Sequence, residues 1–235
     1  MANEEQLSIL KQGVQVWNEW IRQNPDTSID FSAASFAGAN LDNIILWKAN
    51  LQETNFRQAS LLGATLPESN LGGADLTKAV LSGASLLKAN FYQANLTEAK
   101  LPAVDLSDAD LTRATLRGAF LIKVNLRQAN LTDADLSDAM LIDANLTGAI
   151  LTNAHFSRTR LGQIVLALND LTNVIDIESI DHVLPSFIAV DTFRSSKGNL
   201  PEVFLRGCGL SDWEIEEVKL YDPELSNEEV NRILY

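Results

Sequence analysis

The chain of 235 residues contains one cysteine, Cys208, and two histidines, His155 and His182. A single thiol excludes an internal disulfide framework and fits a reducing compartment, so a cytoplasmic location is the default expectation. No second thiol stands near Arg206-Gly207-Cys208-Gly209 to resolve an oxidised form. No His/Cys/Asp spacing suits a metal site, and no glycine-rich phosphate loop occurs. The serines of the central region have no histidine near them in sequence to act as a base. The chain therefore reads as non-enzymatic, with no cofactor and no metal. Long apolar runs are missing too, and Met1-Ala2-Asn3-Glu4-Glu5 lacks the basic and apolar regions of a signal peptide. Basic excess is absent throughout. The net charge is −13, divided as −3 over residues 1–30, −2 over 31–171 and −8 over 172–235. Direct nucleic-acid binding is not expected of such a surface.

What is present is a period. From Phe31 to Leu171 every fifth residue is Leu or Phe, at twenty-nine consecutive positions. An apolar residue every five positions covers every face of an α-helix and alternates between the faces of a strand. It faces one common interior only if the chain turns at every repeat, which makes a solenoid. Two residues before each Leu or Phe, from 34 to 164, stands Ala in twenty of twenty-seven cases. Large and small residues alternating inward pack a narrow, filled tube. Between them sits a short polar residue, as in Ala49-Asn50-Leu51 and Ala134-Asp135-Leu136. Such side chains can bond to the backbone of their own turn.

This A-(N/D)-L-x-x unit resembles the pentapeptide-repeat family over about 140 of the 235 residues. The resemblance implies an all-β solenoid, a right-handed quadrilateral β-helix in which four pentapeptides make one coil. Twenty residues per coil gives about seven coils, and the roughly 4.8 Å spacing of adjacent strands makes a rod of about 34 Å.

Three regions follow: an N-terminal helical cap over 1–28, the β-helix over 29–171 and a mostly α-helical C-terminal region over 172–235. Leu7, Leu10, Val14, Trp17 and Ile21 space an amphipathic helix over 4–23, which Asn24-Pro25-Asp26 stops. It is expected to cover the first coil; Lys11 and Arg22 are too few bases for a membrane-surface helix. The leader also looks like that of cyanobacterial members of the family. Beyond Leu171, Ser211-Asp-Trp-Glu214 and Ser226-Asn-Glu-Glu229 have capping-box form and place short helices near 212–220 and 227–235. His182-Val-Leu-Pro185-Ser186 through Pro201-Glu202-Val-Phe-Leu205-Arg206-Gly207 resembles the connector that precedes a toll/interleukin-receptor domain in certain cyanobacterial pentapeptide-repeat proteins. The resemblance implies a fragment of a longer protein or a stand-alone relative; the activity of that domain does not carry over. His155 occupies an outward polar slot, and His182 is expected to make a structural hydrogen bond.

Residues twenty apart share a face of such a rod. Around Leu61, Leu81, Leu101, Leu121 and Leu141, the outward positions include Leu62, Val80, Pro102, Phe120, Ile122, Met140 and Ile142. On the opposite face the corresponding slots hold Asn50, Asn70, Asn90, Asp110 and Asn130. An apolar stripe of several hundred Å² exceeds what a monomer usually leaves open. The expected function is a scaffold that binds a protein partner or a second copy of itself through Leu62, Val80, Phe120, Ile122, Met140 and Ile142; the C-terminal segment folded back is the third candidate for this face. The alternative is an acidic DNA mimic acting on DNA gyrase, as some family members do. A duplex as long as the rod carries on the order of twenty phosphate charges. The central region nets only −2.

Overall fold

The structure, a computed structural model, describes residues 2–234. Each repeat bends the chain through the same device. The N–H of Ala49 donates to the Leu46 carbonyl at 3.2 Å, and Lys48 between them takes φ +52. A positive φ at the third residue of a four-residue turn is the type II pattern. It recurs down the rod, from Ala33 (φ 56) to Leu168 (φ 60), and glycine takes this corner at positions such as Gly63 and Gly83. Side chains at most of these corners cost conformational energy that an isolated repeat could not offset.

Stacking supplies the compensation. Parallel bridges join Asp30 to Asn50, Ser35 to Asn55, Asn40 to Ser60 and Ile45 to Thr65, and each of the four columns continues in steps of twenty. Four sides per twenty residues make a quadrilateral β-helix. Leu51 N donates to Asn70 O of the next coil at 2.7 Å while Asn50 N donates to Ile29 O of the preceding one at 2.8 Å, so each coil is bonded to the coils above and below. The polar slot closes the turn, as its chemistry requires. Asn90 Oδ1 accepts from Tyr92 N at 2.8 Å, and Asn90 Nδ2 donates to Asn70 Oδ1 at 3.2 Å. The Leu/Phe and Ala positions are buried along nearly the whole length. An apolar void under the last coils, lined by Leu146, Leu161, Ile164 and Phe204, holds only about 10 Å³.

At the N-terminal end the helical stretch is two helices, α1 (Glu4–Leu10) and α2 (Val14–Gln23), and not the single helix expected over 4–23. Gly13, at φ +121, breaks it in a conformation that few other residues reach. Side-chain amides then take the place of a missing strand. Gln6 donates to Ser28 O and accepts from Asp30 N. Asn18 donates to Asn43 O and accepts from Ile45 N, and Trp17 Nε1 donates to Ile45 O at 2.8 Å. The fully buried Trp17 ring lies 5.1 Å from that of Phe31.

The sequence period ends at Leu171, but the ladder does not. Short strands β1 (Met140–Ile142), β2 (Arg160–Gly162) and β3 (Val165–Leu166) are met by β4 (Asp181–His182) and β5 (Phe187–Ile188). The register lengthens from twenty residues: Arg160 pairs with Asp181 and Val165 with Phe187. Asn169 replaces the inward Ala, and its Nδ2 donates to the carbonyls of Leu146 and Ala149. A 3-10 turn at Ile177–Ser179 precedes β4. Helices α3 (Val190–Ser195), α4 (Glu202–Gly207), α5 (Asp212–Lys219) and α6 (Asn227–Leu234) follow β5. The capping box at Ser211 and Glu214 is formed. Among the described residues no helix is long and apolar enough to cross a membrane.

The expected hydrogen bond of His182 is absent. Among the described residues neither ring nitrogen has a partner. The ring is wedged instead between the rod and α4, 5.4 Å from the Phe204 ring and so close to Gly207 that a Cβ there would lie 2.1 Å from Cδ2.

Candidate functional site

The residues of the apolar stripe fall in two adjoining columns of one side. Val80, Lys100, Phe120, Met140 and Arg160 are successive bridged partners. Leu62, Ser82, Pro102, Ile122, Ile142 and Gly162 stack beside them through backbone bonds such as Lys123 N to Ile142 O at 2.8 Å. Leu62 is 47% exposed and Phe120 is 42% exposed; Val80, Ile122, Met140 and Ile142 are half-buried. The C-terminal segment therefore does not fold back over Phe120. It reaches only the end of the stripe, where Gly162 leaves room for Val183 and Leu184, whose atoms stand 3.0 and 3.1 Å from where a Cβ would be. Leu184 is itself exposed and extends the stripe.

The local reason for the contrast with the polar side lies in the turn. At Asn130 the side-chain oxygen accepts from the N–H and hydroxyl of Thr132, which completes the bend. Phe120 and Met140 cannot do this, so their place in the repeat serves no turn. Other exposed apolar side chains include Tyr92 and Ile150 on the polar side, Leu168 at a corner and, beyond the period, Phe187, Val190, Val203 and Trp213, the last 63% exposed on the first turn of α5. Residues beyond the period carry no spacing signal. A tryptophan inside a capping box, where the first turn faces solvent, is the signal that points to one of them.

The main polar cluster lies on a different side, among Arg117, Asp133, Asp135, Ser137, His155 and Arg158. Its carboxylates are engaged: Asp138 bonds Arg158 at 2.8 Å and Arg117 at 3.1 Å, and Asp133 faces Arg113 at 3.4 Å. Hydrogen bonds from Arg158 hold the Asp138 carboxyl below its ordinary range, with the charge of Arg117 adding to the effect. His155 is exposed in its polar slot. Among the described residues no group of three or more His, Cys, Asp or Glu side chains is placed to hold a metal ion. Cys208 is buried, and burial pushes its thiol up to about 12, far from a reactive thiolate.

The model of the family described as pentapeptide repeats matches in eight copies, over residues 29–66, 59–97, 89–128, 109–148 and 129–166. No curated protein matches the chain. Among solved structures, HetL of the cyanobacterium Nostoc sp. strain PCC 7120, a pentapeptide repeat protein involved in heterocyst differentiation regulation, is 31% identical. The match covers 68% of this chain and 76% of HetL, with a TM-score of 0.37. Rfr23 of the cyanobacterium Cyanothece 51142 is 25% identical over 67% of this chain and 96% of its own, with a TM-score of 0.33. QnrB1, a plasmid-mediated fluoroquinolone resistance protein, is 14% identical over 88% and 96%, with a TM-score of 0.45. The matched repeats span more than half of the residues, and with them the ladder of four-sided coils. The chain belongs to the pentapeptide-repeat family.

Proposed function

We propose that the chain is a non-catalytic scaffold of the cytoplasm that docks a protein partner through the face bearing Leu62, Val80, Phe120, Ile122, Met140 and Ile142. In this reading the rod has about seven coils, closed at one end by α1 and α2 and at the other by the C-terminal segment. The observation that carries it is the exposure of Phe120 and Leu62 on a side where neither residue serves its turn. A filled interior leaves function to the outer faces and the ends. The family's fold, a right-handed quadrilateral β-helix, supplies flat sides suited to such docking.

The gyrase-directed DNA mimic has less support. A mimic needs a run of unneutralised negative charge. Along the rod Asp75, Asp133, Asp135 and Asp138 face Arg57, Arg113, Arg117 and Arg158.

A photo-crosslinking amino acid at Ile122, and separately at Gln52 on the polar side, tests the docking reading in cells that express the chain. The expected result is a discrete protein adduct from position 122 and none from position 52. Equal labelling from both positions, or none from 122, overturns it.

A further inference from the structure

We propose that the occupant of the apolar face is a second copy of this chain, docked face to face with the two rods antiparallel. The proposal rests on the docking reading above and adds the partner and the register. A symmetric face-to-face pair needs a two-fold axis lying in the plane between the faces. If that axis runs across the rods, between the coil of Phe120 and the coil of Met140, each column meets itself in reverse order. Phe120 then packs on Met140 of the second copy, and Ile122 on Ile142 of the second copy.

The third outward column decides the matter. It holds Gly83, Ala103, Lys123 and Asp143, so the same operation sets Lys123 over Asp143 of the second copy, and Asp143 over its Lys123. Among the described residues Lys123 and Asp143 form no ion pair within one chain. Lys48–Glu68, Lys78–Glu98 and Arg113–Asp133, which also stand twenty residues apart, are all closed. The charges on this face are therefore open to a partner, and the face is complementary to itself. The parallel alternative, with the axis along the rods, fails on the same residues, because it sets Phe120 over Lys123 and Met140 over Asp143. In the antiparallel register Lys100 meets Arg160 of the second copy, and Arg160 already faces Asp181 at 3.4 Å. Pro102 falls opposite Gly162, which is buried under Val183 and Leu184 of its own chain, so at that end Pro102 faces these side chains.

Sedimentation equilibrium of the full chain, with each variant checked by circular dichroism for an unchanged fold, tests this. The wild type is expected to dimerise, and Phe120→Glu with Ile142→Glu to be monomeric. Lys123→Asp alone and Asp143→Lys alone should each weaken the dimer by about tenfold or more through facing like charges. The double variant Lys123→Asp with Asp143→Lys should restore it, because the exchanged pair faces itself again. A dimer indifferent to these charges overturns the register, and a monomeric wild type overturns the self-association. In that last case an adduct from position 122 to another protein leaves the docking reading standing, and the absence of any adduct removes both.

Discussion

Two sides of this rod share one core and one backbone, and they differ in most of what they show to water, with Tyr92 and Ile150 the exposed apolar exceptions on the polar side. On the side of Asn90, Asp110 and Asn130, each polar residue completes its turn, as Asp110 does by accepting from Thr112 N at 3.0 Å and from its hydroxyl. On the side of Phe120 and Met140 the same slots hold residues that contribute nothing to the bend. Behind both sides Leu121 and Leu131 are fully buried. Folding is thus written into the inward positions and the turn slots, and a surface can depart from the turn chemistry where another use compensates for it. A repeat protein separates these two records more cleanly than most folds, because every position recurs.

The largest effect that can break the comparison is in the core. Leu121→Ala and Leu131→Ala should each cost about 3 kcal/mol, and nearly the same amount, in chemical denaturation. Clearly unequal costs would mean that the two sides do not share one cooperative core, and the separation of fold from surface would fail.

A middling effect sharpens the comparison by setting the rod apart from its C-terminal segment. Burial lowers the His182 imidazole below its ordinary 6.5, and the charge of Asp181 opposes this only in part. A group that binds its proton less readily when folded destabilises the fold as pH falls through the unfolded value. Between pH 7 and 5 the helices packed on His182 should loosen, read as faster amide exchange in α4, and His182→Phe should remove the dependence. The rod surface carries no such group on its apolar side, so association through Phe120 should hold over the same range. Loss of association in step with α4 would assign the contact to the C-terminal segment instead.

Much of this was legible in the sequence, for a physical reason. A buried column of Leu121-type positions leaves an unbroken period, and the choice of Asn or Phe in the outward slot can be read face by face. The break at Gly13 was hidden, because Leu10, Val14 and Trp17 keep helical spacing straight through it. The continuation of the ladder into Asp181 and Phe187 was hidden as well. There the register stretches beyond twenty residues, so no period marks it. For His182, sequence shows the imidazole but not the Gly207 notch and the Phe204 ring that exclude its partners. The stripe itself was readable, though which of its members stand out, Leu62 and Phe120 ahead of Ile122 and Met140, depended on packing between neighbouring coils.

The most direct measurement is an exchange of surfaces: Phe120→Asn, Ile122→Thr, Met140→Asn and Ile142→Thr together, which writes the polar side's turn chemistry onto the apolar side. Sedimentation equilibrium and chemical denaturation of this variant read the surface and the fold separately. The account predicts that association is lost while unfolding stability stays within about 1 kcal/mol of the wild type or rises, since each new Asn can close its own turn. Association that survives the exchange would contradict it.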